Sequence, residues 1–193
     1  MILKKFLFLT GGVILPLFAA EPVNLFSPGN FEAPPAVLRK NIRSTGDGWG
    51  VFKEMPGRNH CAEIRIKKIS KQKDGTSGVA AAMRITVAGL IPRQVYRIRF
   101  DISGTAPSML FLIHEKGGPD LKYETVNKRK KGGISHAVPV DWGEYIMEFS
   151  PLKSGICTFE FSLWHNTRYG KMFYSPGDYV LIDNIAISPV NKK

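Results

Sequence analysis

The stretch Tyr179 to Pro189, YVLIDNIAISP, decides how the rest of the chain is read. Its residues alternate: Leu181, Asp183, Ile185 and Ile187 fall on one side of an extended chain, and Val180, Ile182, Asn184 and Ala186 on the other. The segment is therefore a strand with at least one buried face. Asp183 is out of place in it. A carboxylate in line with three aliphatic side chains is costly unless a cation or hydrogen-bond donors meet it. A metal near the start of the chain would do so, and so would a wet strand end or capping backbone amides.

Working outward from that strand, short extended runs recur, separated by Gly, Pro, Asn and Asp. Ile64 and Ile66 alternate with Glu63, Arg65 and Lys67, and Val79, Ala81, Met83, Ile85 and Val87 alternate with Arg84 and Thr86. After a Gly-Pro turn, Tyr96, Ile98, Phe100 and Ile102 point inward, with Arg97, Arg99 and Asp101 outward. Residues 108–114 are nearly all apolar, as in a strand covered on both faces. Tyr145, Met147 and Phe149 form one further face. Phe159, Phe161 and Leu163 form another, with Thr158, Glu160, Ser162 and Trp164 opposite. Residues 37–43 suit an edge strand, and Trp49 sits among glycines. No amphipathic helix is legible. Eight or nine main strands at this spacing predict an all-β protein, a two-sheet β-sandwich of jelly-roll type.

The chain of 193 residues starts MILKK, then FLFLTGGVILPLFAA, a basic start followed by an apolar run with helix breakers and small residues. This is the pattern of a secretory signal peptide. The expectation is residues 1–20 as leader, residues 21–193 as a single domain with no membrane span, and a secreted, periplasmic or cell-surface location. With Lys4 and Lys5 removed from the 27 Lys and Arg, against 16 Asp and Glu, the formal charge falls from +11 to +9. An exported basic protein more often meets anionic polysaccharide, lipid headgroups or a cell-wall polymer than nucleic acid, or carries its charge only for solubility. Cys61 and Cys157 each begin a strand, and the strands run antiparallel, so two buried thiols are expected rather than a bridge. Residues 117–138 form a long polar insertion carrying NKRKKGG (127–133), and KKISKQK (67–73) is a second basic stretch. Either is a solvated loop or a ligand contact.

Five pieces in order carry a family resemblance. NLFSPGNFE (24–32) opens the exported part, Trp49 follows, PRQVYRIRFDISG (92–104) gives a turn and strand, DWGEYIMEF (141–149) enters a later strand, and YVLIDNIAI closes. Together they resemble carbohydrate-binding modules of the family 4/9 type, in the galactose-binding-like jelly-roll group. The turn Pro92-Arg93-Gln94-Val95-Tyr96 departs from that pattern, and the insertion is longer. The resemblance implies a structural Ca2+ held by Glu32 and Asp183 with carbonyls of residues 24–30, a ligand count that suits calcium.

In jelly-roll order, the strands at Ala62, Thr158, Val95 and Ser108 are expected side by side. Their common outward surface would present Arg65, Arg97, Arg99, Asp101, Glu160 and Trp164, with His165 and Tyr169 in the following loop WHNTRYGKMFY (164–174). Rings stack on sugar C–H faces, and guanidinium groups hold carboxylate or sulfate. Alternatively, these charges pair with each other on a solvated sheet. Glu160 with Asp101 or Glu63 would be the carboxylate pair of a glycosidase. The chain carries no dense catalytic motif, and His60, His114, His136 and His165 are scattered. The reading is a secreted non-catalytic carbohydrate-binding protein favouring acidic polysaccharide. The alternatives are an envelope interaction module of the same fold without sugar binding, and less so a polysaccharide lyase or glycoside hydrolase.

Overall fold

The computed structural model describes residues 31, 42–46, 49–50, 60–118, 120–121, 134–136 and 138–190. The strands are β1 (Ile42–Gly46), β2 (Trp49–Gly50), β3 (Ala62–Arg65), β4 (Ser70–Lys71), β5 (Ser77–Ala88), β6 (Tyr96–Gly104), β7 (Met109–Glu115), β8 (Ile134–His136), β9 (Gly143–Phe149), β10 (Ile156–Asn166) and β11 (Tyr179–Pro189). They form two sheets. The first has the order β1-β5-β10-β7-β8, with β4 also on β5, and the second has the order β2-β3-β11-β6-β9. Every pairing is antiparallel. Among the described residues the sole helical element is a 3-10 turn, Thr167–Tyr169. This is the expected jelly-roll sandwich.

The alternations place the core. Met83, Ile85, Phe111, Phe159 and Phe161 from the first sheet meet Ile64, Ile98, Phe100 and Ile102 from the second, all at most 1% exposed. Phe100 bridges the layers, edge-on to Phe161 with ring centroids 5.0 Å apart and tilted on Phe111 at 5.2 Å. Phe149 meets Phe159 edge-on at 5.2 Å. Each aromatic ring buries roughly 150–250 Å2 of surface, so this inter-sheet cluster is the main hydrophobic contribution to the fold.

Strand β11 corrects the phase expected from its sequence. Val180 and Ile182 face the core, as do Ile185 and Ile187, whereas Leu181 and Asp183 lie on the other face. The pairing with β6 steps from Asp183↔Asp101 to Ala186↔Arg99, so β11 spends one residue more than its partner. Asn184 takes up the extra residue in the left-handed region, at φ 51°. This is a β-bulge, and Asn tolerates that conformation through local hydrogen bonding. Its backbone N–H donates to Asp183 Oδ1 at 2.7 Å, and its side-chain Nδ2 donates to Asp101 Oδ2 at 2.9 Å.

Two further expectations change. Residues 108–114 are covered on one face only, since Leu110, Leu112 and His114 are half-exposed. The strands at Ala62, Val95, Ser108 and Thr158 are not side by side, because β3 and β6 belong to the second sheet and β7 and β10 to the first. Neither cysteine is in a disulfide, and both are buried. They begin strands in different sheets, and burial together with the Glu115 charge pushes the Cys157 thiol up to about 12.

Candidate functional site

At the far end of β10 the chain builds a shallow concavity between β4, the start of β5 and the last residues of β10, lined by Ser70, Gln72, Gly78, Val79, Ala80, Trp164, His165 and Asn166, with His165 O facing Gly78. The register sets Asn166 opposite Gly78 and Trp164 opposite Ala80. Small residues on β5 therefore leave a floor beside the Trp164 ring. A Cβ placed on Gly78 would sit 3.6 Å from Gln72 Nε2 and 3.7 Å from Asn166 Nδ2, so two amides converge over the glycine. Gly78 is what keeps that space open.

The rim is held by hydrogen bonds across the chain. Asn166 Oδ1 accepts from Arg168 N at 2.8 Å and caps the 3-10 turn. Thr167 Oγ1 accepts from Ser77 N at 2.8 Å, and Arg168 is ion-paired to Asp74. Hydrogen bonds from the Thr76 hydroxyl and backbone, then the Arg168 guanidinium, hold the Asp74 carboxyl below the usual range. So clamped, the turn brings Tyr169 against Trp164, with ring centroids 5.7 Å apart and planes at 44°. Both rings face solvent, Trp164 at 47% and Tyr169 at 70% exposure. Lys71, Lys73, Arg168 and Lys171, on the segments that adjoin the concavity, are exposed.

The eight ligand residues expected from sequence do not form one surface. Trp164 and Tyr169 come together. His165 points to the opposite side of β10, where it is 8% exposed, packs on Phe173 at 4.4 Å and shares a hydrogen bond with Gly170 O at 3.2 Å. It supports the loop from beneath, as strand alternation requires of Trp164's neighbour. Glu160 shares the outward face of the first sheet with Trp164, but accepts from Arg84 Nε at 2.6 Å and lies 3.8 Å from His114 Nε2. His114 Nδ1 in turn meets Asp120 at 2.6 Å.

Arg65, Arg97, Arg99 and Asp101 sit on the outer face of the other sheet. Arg65 is bidentate to Glu63 at 2.7 and 2.8 Å and covers the Tyr179 ring at 4.7 Å. The bond to Glu63 raises its pKa against the opposing effect of burial. Arg97 pairs with Glu148 at 2.6 Å and Arg99 with Glu144 at 3.6 Å. These are cross-strand pairs on a solvated sheet, of the kind worth about 0.2–1 kcal/mol each. The separation also removes the glycosidase pairing of Glu160 with Asp101 or Glu63, because the sandwich core lies between them.

For the calcium site, Glu32 lies outside the described residues. Asp183 is 4% exposed on the outer face, opposite Asp101. Among the described residues no group of three or more His, Cys, Asp or Glu is arranged to hold a metal. What sequence reading missed is the floor, Gln72 and Gly78. Gln72 was visible only inside a basic run, and its meeting with Asn166 depends on strand pairing across the sheet.

No protein-family description and no curated protein matches the chain by sequence. Solved structures match its fold. A family 61 carbohydrate-binding module solved with beta-1,4-galactotriose superposes with TM-score 0.57 at 15% identity, covering 87% of this chain and 99% of that one. The enzymatically active domain of a tailspike protein from bacteriophage CBA120 superposes with TM-score 0.52 at 15% identity, but the match spans 86% of this chain and only 21% of the tailspike. A family 4 carbohydrate-binding module reaches TM-score 0.47 at 14% identity, too loose to single out that family. The chain thus has the jelly-roll fold of a carbohydrate-binding module, without being tied to the 4/9 type.

Proposed function

We propose that this protein is an exported, non-catalytic carbohydrate-binding protein, and that its sugar site is the Trp164–Tyr169 concavity. One observation carries the reading: the solvent-facing Trp164 ring borders a floor opened by Gly78, near the Gln72 and Asn166 amides, and the clamped turn sets the exposed Tyr169 ring beside it. Rings of this kind stack on the C–H faces of a pyranose, and planar amides match pairs of its hydroxyls. Lys71, Lys73 and Lys171 are exposed on the adjoining segments, a basic surrounding that favours glycans carrying carboxylate or sulfate. The apolar leader read in residues 1–20 supports export.

Affinity electrophoresis in gels containing neutral galactan or an acidic polysaccharide tests the site. Wild-type protein should be retarded, more strongly by the acidic polymer, and Trp164→Ala should weaken retention by about 30-fold, the loss of a binding hot spot. Equal mobility of wild type and variant in every gel overturns the assignment. Calcium belongs to this proposal as a structural ion on Asp183 with Glu32, away from the sugar site. It would neutralise a nearly inaccessible carboxylate, and chelation should then lower the melting temperature without changing sugar retention. An unchanged melting temperature, with no metal found on dialysis, removes it.

A further inference from the structure

The end of the sandwich opposite the aromatic site carries an unusual tip. The turn between β5 and β6 exposes Ile91 at 65%, and the turn between β9 and β10 exposes Leu152 at 51%. The two turns are joined: Arg93 N donates to Pro151 O at 2.7 Å, and Leu90 N donates to Gly155 O at 3.0 Å. Ile91 N is further tied to the Tyr96 hydroxyl at 2.8 Å. Beneath Leu152, the buried Glu115 carboxylate accepts from the N–H groups of Leu152, Lys153 and Ser154, the last at 2.6 Å. Both aliphatic side chains are therefore held outward on rigid turns, and little ordering is needed before they meet a partner.

The exposed charges on these turns are basic, while the Glu115 carboxylate lies buried beneath them and Asp120 is paired with His114. Arg93, Lys153 and Lys116 are exposed, and Lys116 N bonds Ile156 O at 3.0 Å at the base of the same turn. Residues 88–95, 116–118 and 150–156 contain no Asp or Glu. Arg93 also occupies the left-handed region at φ 66°, where glycine or asparagine is the easier residue, so a cation stands where the backbone disfavours it.

We propose that this tip docks on an anionic lipid bilayer. Exposed aliphatics on two joined turns, flanked by long cations, suit a deformable interface, in which apolar side chains enter the acyl boundary while Lys and Arg remain among the headgroups. A protein interface of the usual kind centres on an aromatic anchor, and residues 88–95, 116–118 and 150–156 contain no Phe, Tyr or Trp. The aromatic site lies at the other end of β10, about 30 Å away at the usual strand rise. Glycan and bilayer could then be held together.

The test uses the full chain carrying Leu152→Cys labelled with an environment-sensitive fluorophore, the native thiols being buried. Ile146→Cys, an exposed aliphatic position on β9, is the control. With mixed phosphatidylcholine and phosphatidylglycerol vesicles, the label at 152 should blue-shift and be quenched by acyl-chain quenchers, and the label at 146 should not. Replacing Arg93, Lys116 and Lys153 together with serine should weaken that signal roughly a hundredfold, each cation near an anionic surface contributing about a factor of five. Added salt should weaken it too. Equal signals at 146 and 152, no signal at 152, or a signal indifferent to the triple substitution overturns the proposal. Retention in polysaccharide gels should be unchanged in the tip variants, so failure here is separable from failure of the sugar site.

Discussion

Gly78→Ala separates the sugar site from the stability of the fold, because its effects on the two have opposite signs. The added methyl would lie 3.5 Å from His165 O, 3.6 Å from Gln72 Nε2 and 3.7 Å from Asn166 Nδ2, all ordinary van der Waals contacts. Gly78 is in strand β5, with no backbone angle that an L-residue avoids. The folded state should accept the methyl, and the unfolded chain loses freedom, a gain of roughly 0.4–1 kcal/mol. For a chain of this size that is a melting-temperature rise of roughly 1–4 °C. Yet the methyl occupies the floor where the two amides converge. One misplaced methyl group in a fitted site costs about 1–3 kcal/mol, or roughly 10–200-fold in affinity. Thermal melting and affinity electrophoresis on the same preparation read both quantities. A variant as stable as wild type that retains full polysaccharide binding would refute the placement of the ligand over Gly78.

Other substitutions test the scaffold. In Gly155→Ala the new Cβ would come within 2.3 Å of Leu90 O, a backbone atom held by its own turn. The turn must shift, and unfolding in urea should show a loss of about 1–3 kcal/mol. Burial pushes the Glu115 pKa up, but backbone bonds from Lys153, Ser154 and Leu152 and the Lys153 charge outweigh it and hold the pKa below the ordinary 4.5. That stabilisation is complete above about pH 4.5 and lost as the pH falls through the lower folded value. The urea midpoints of wild type and Glu115→Gln should therefore differ at pH 7 and converge in acid; a gap that widens in acid contradicts the role given to the carboxylate. Both thiols should resist disulfide reagents in the native protein and react on unfolding, and prompt native reaction of Cys157 would be inconsistent with its burial.

The period-two alternation made the inward faces of β5, β6 and β10 readable, because side-chain direction along a strand is a local property of the backbone. The outcome is the core of Met83, Phe100 and Phe161. The same local rule marked Trp164 as outward and Glu160 as sharing its face. It failed at Asn184, where one extra residue against β6 reverses the phase and moves Asp183 out of line with Ile185 and Ile187.

What tertiary structure alone decided is which outward faces are shared. Arg97 and Trp164 each point away from the core, but strand alternation says nothing about the layer to which a strand belongs. That depends on pairings between distant segments, and these put the two residues on opposite sides of the sandwich. The concavity follows from the same kind of pairing: Asp74 and Arg168, 94 residues apart, are brought together by the pairing of β10 along β5. Composition and alternation specified strands and a buried face, and long-range hydrogen bonding then chose which polar residues could meet.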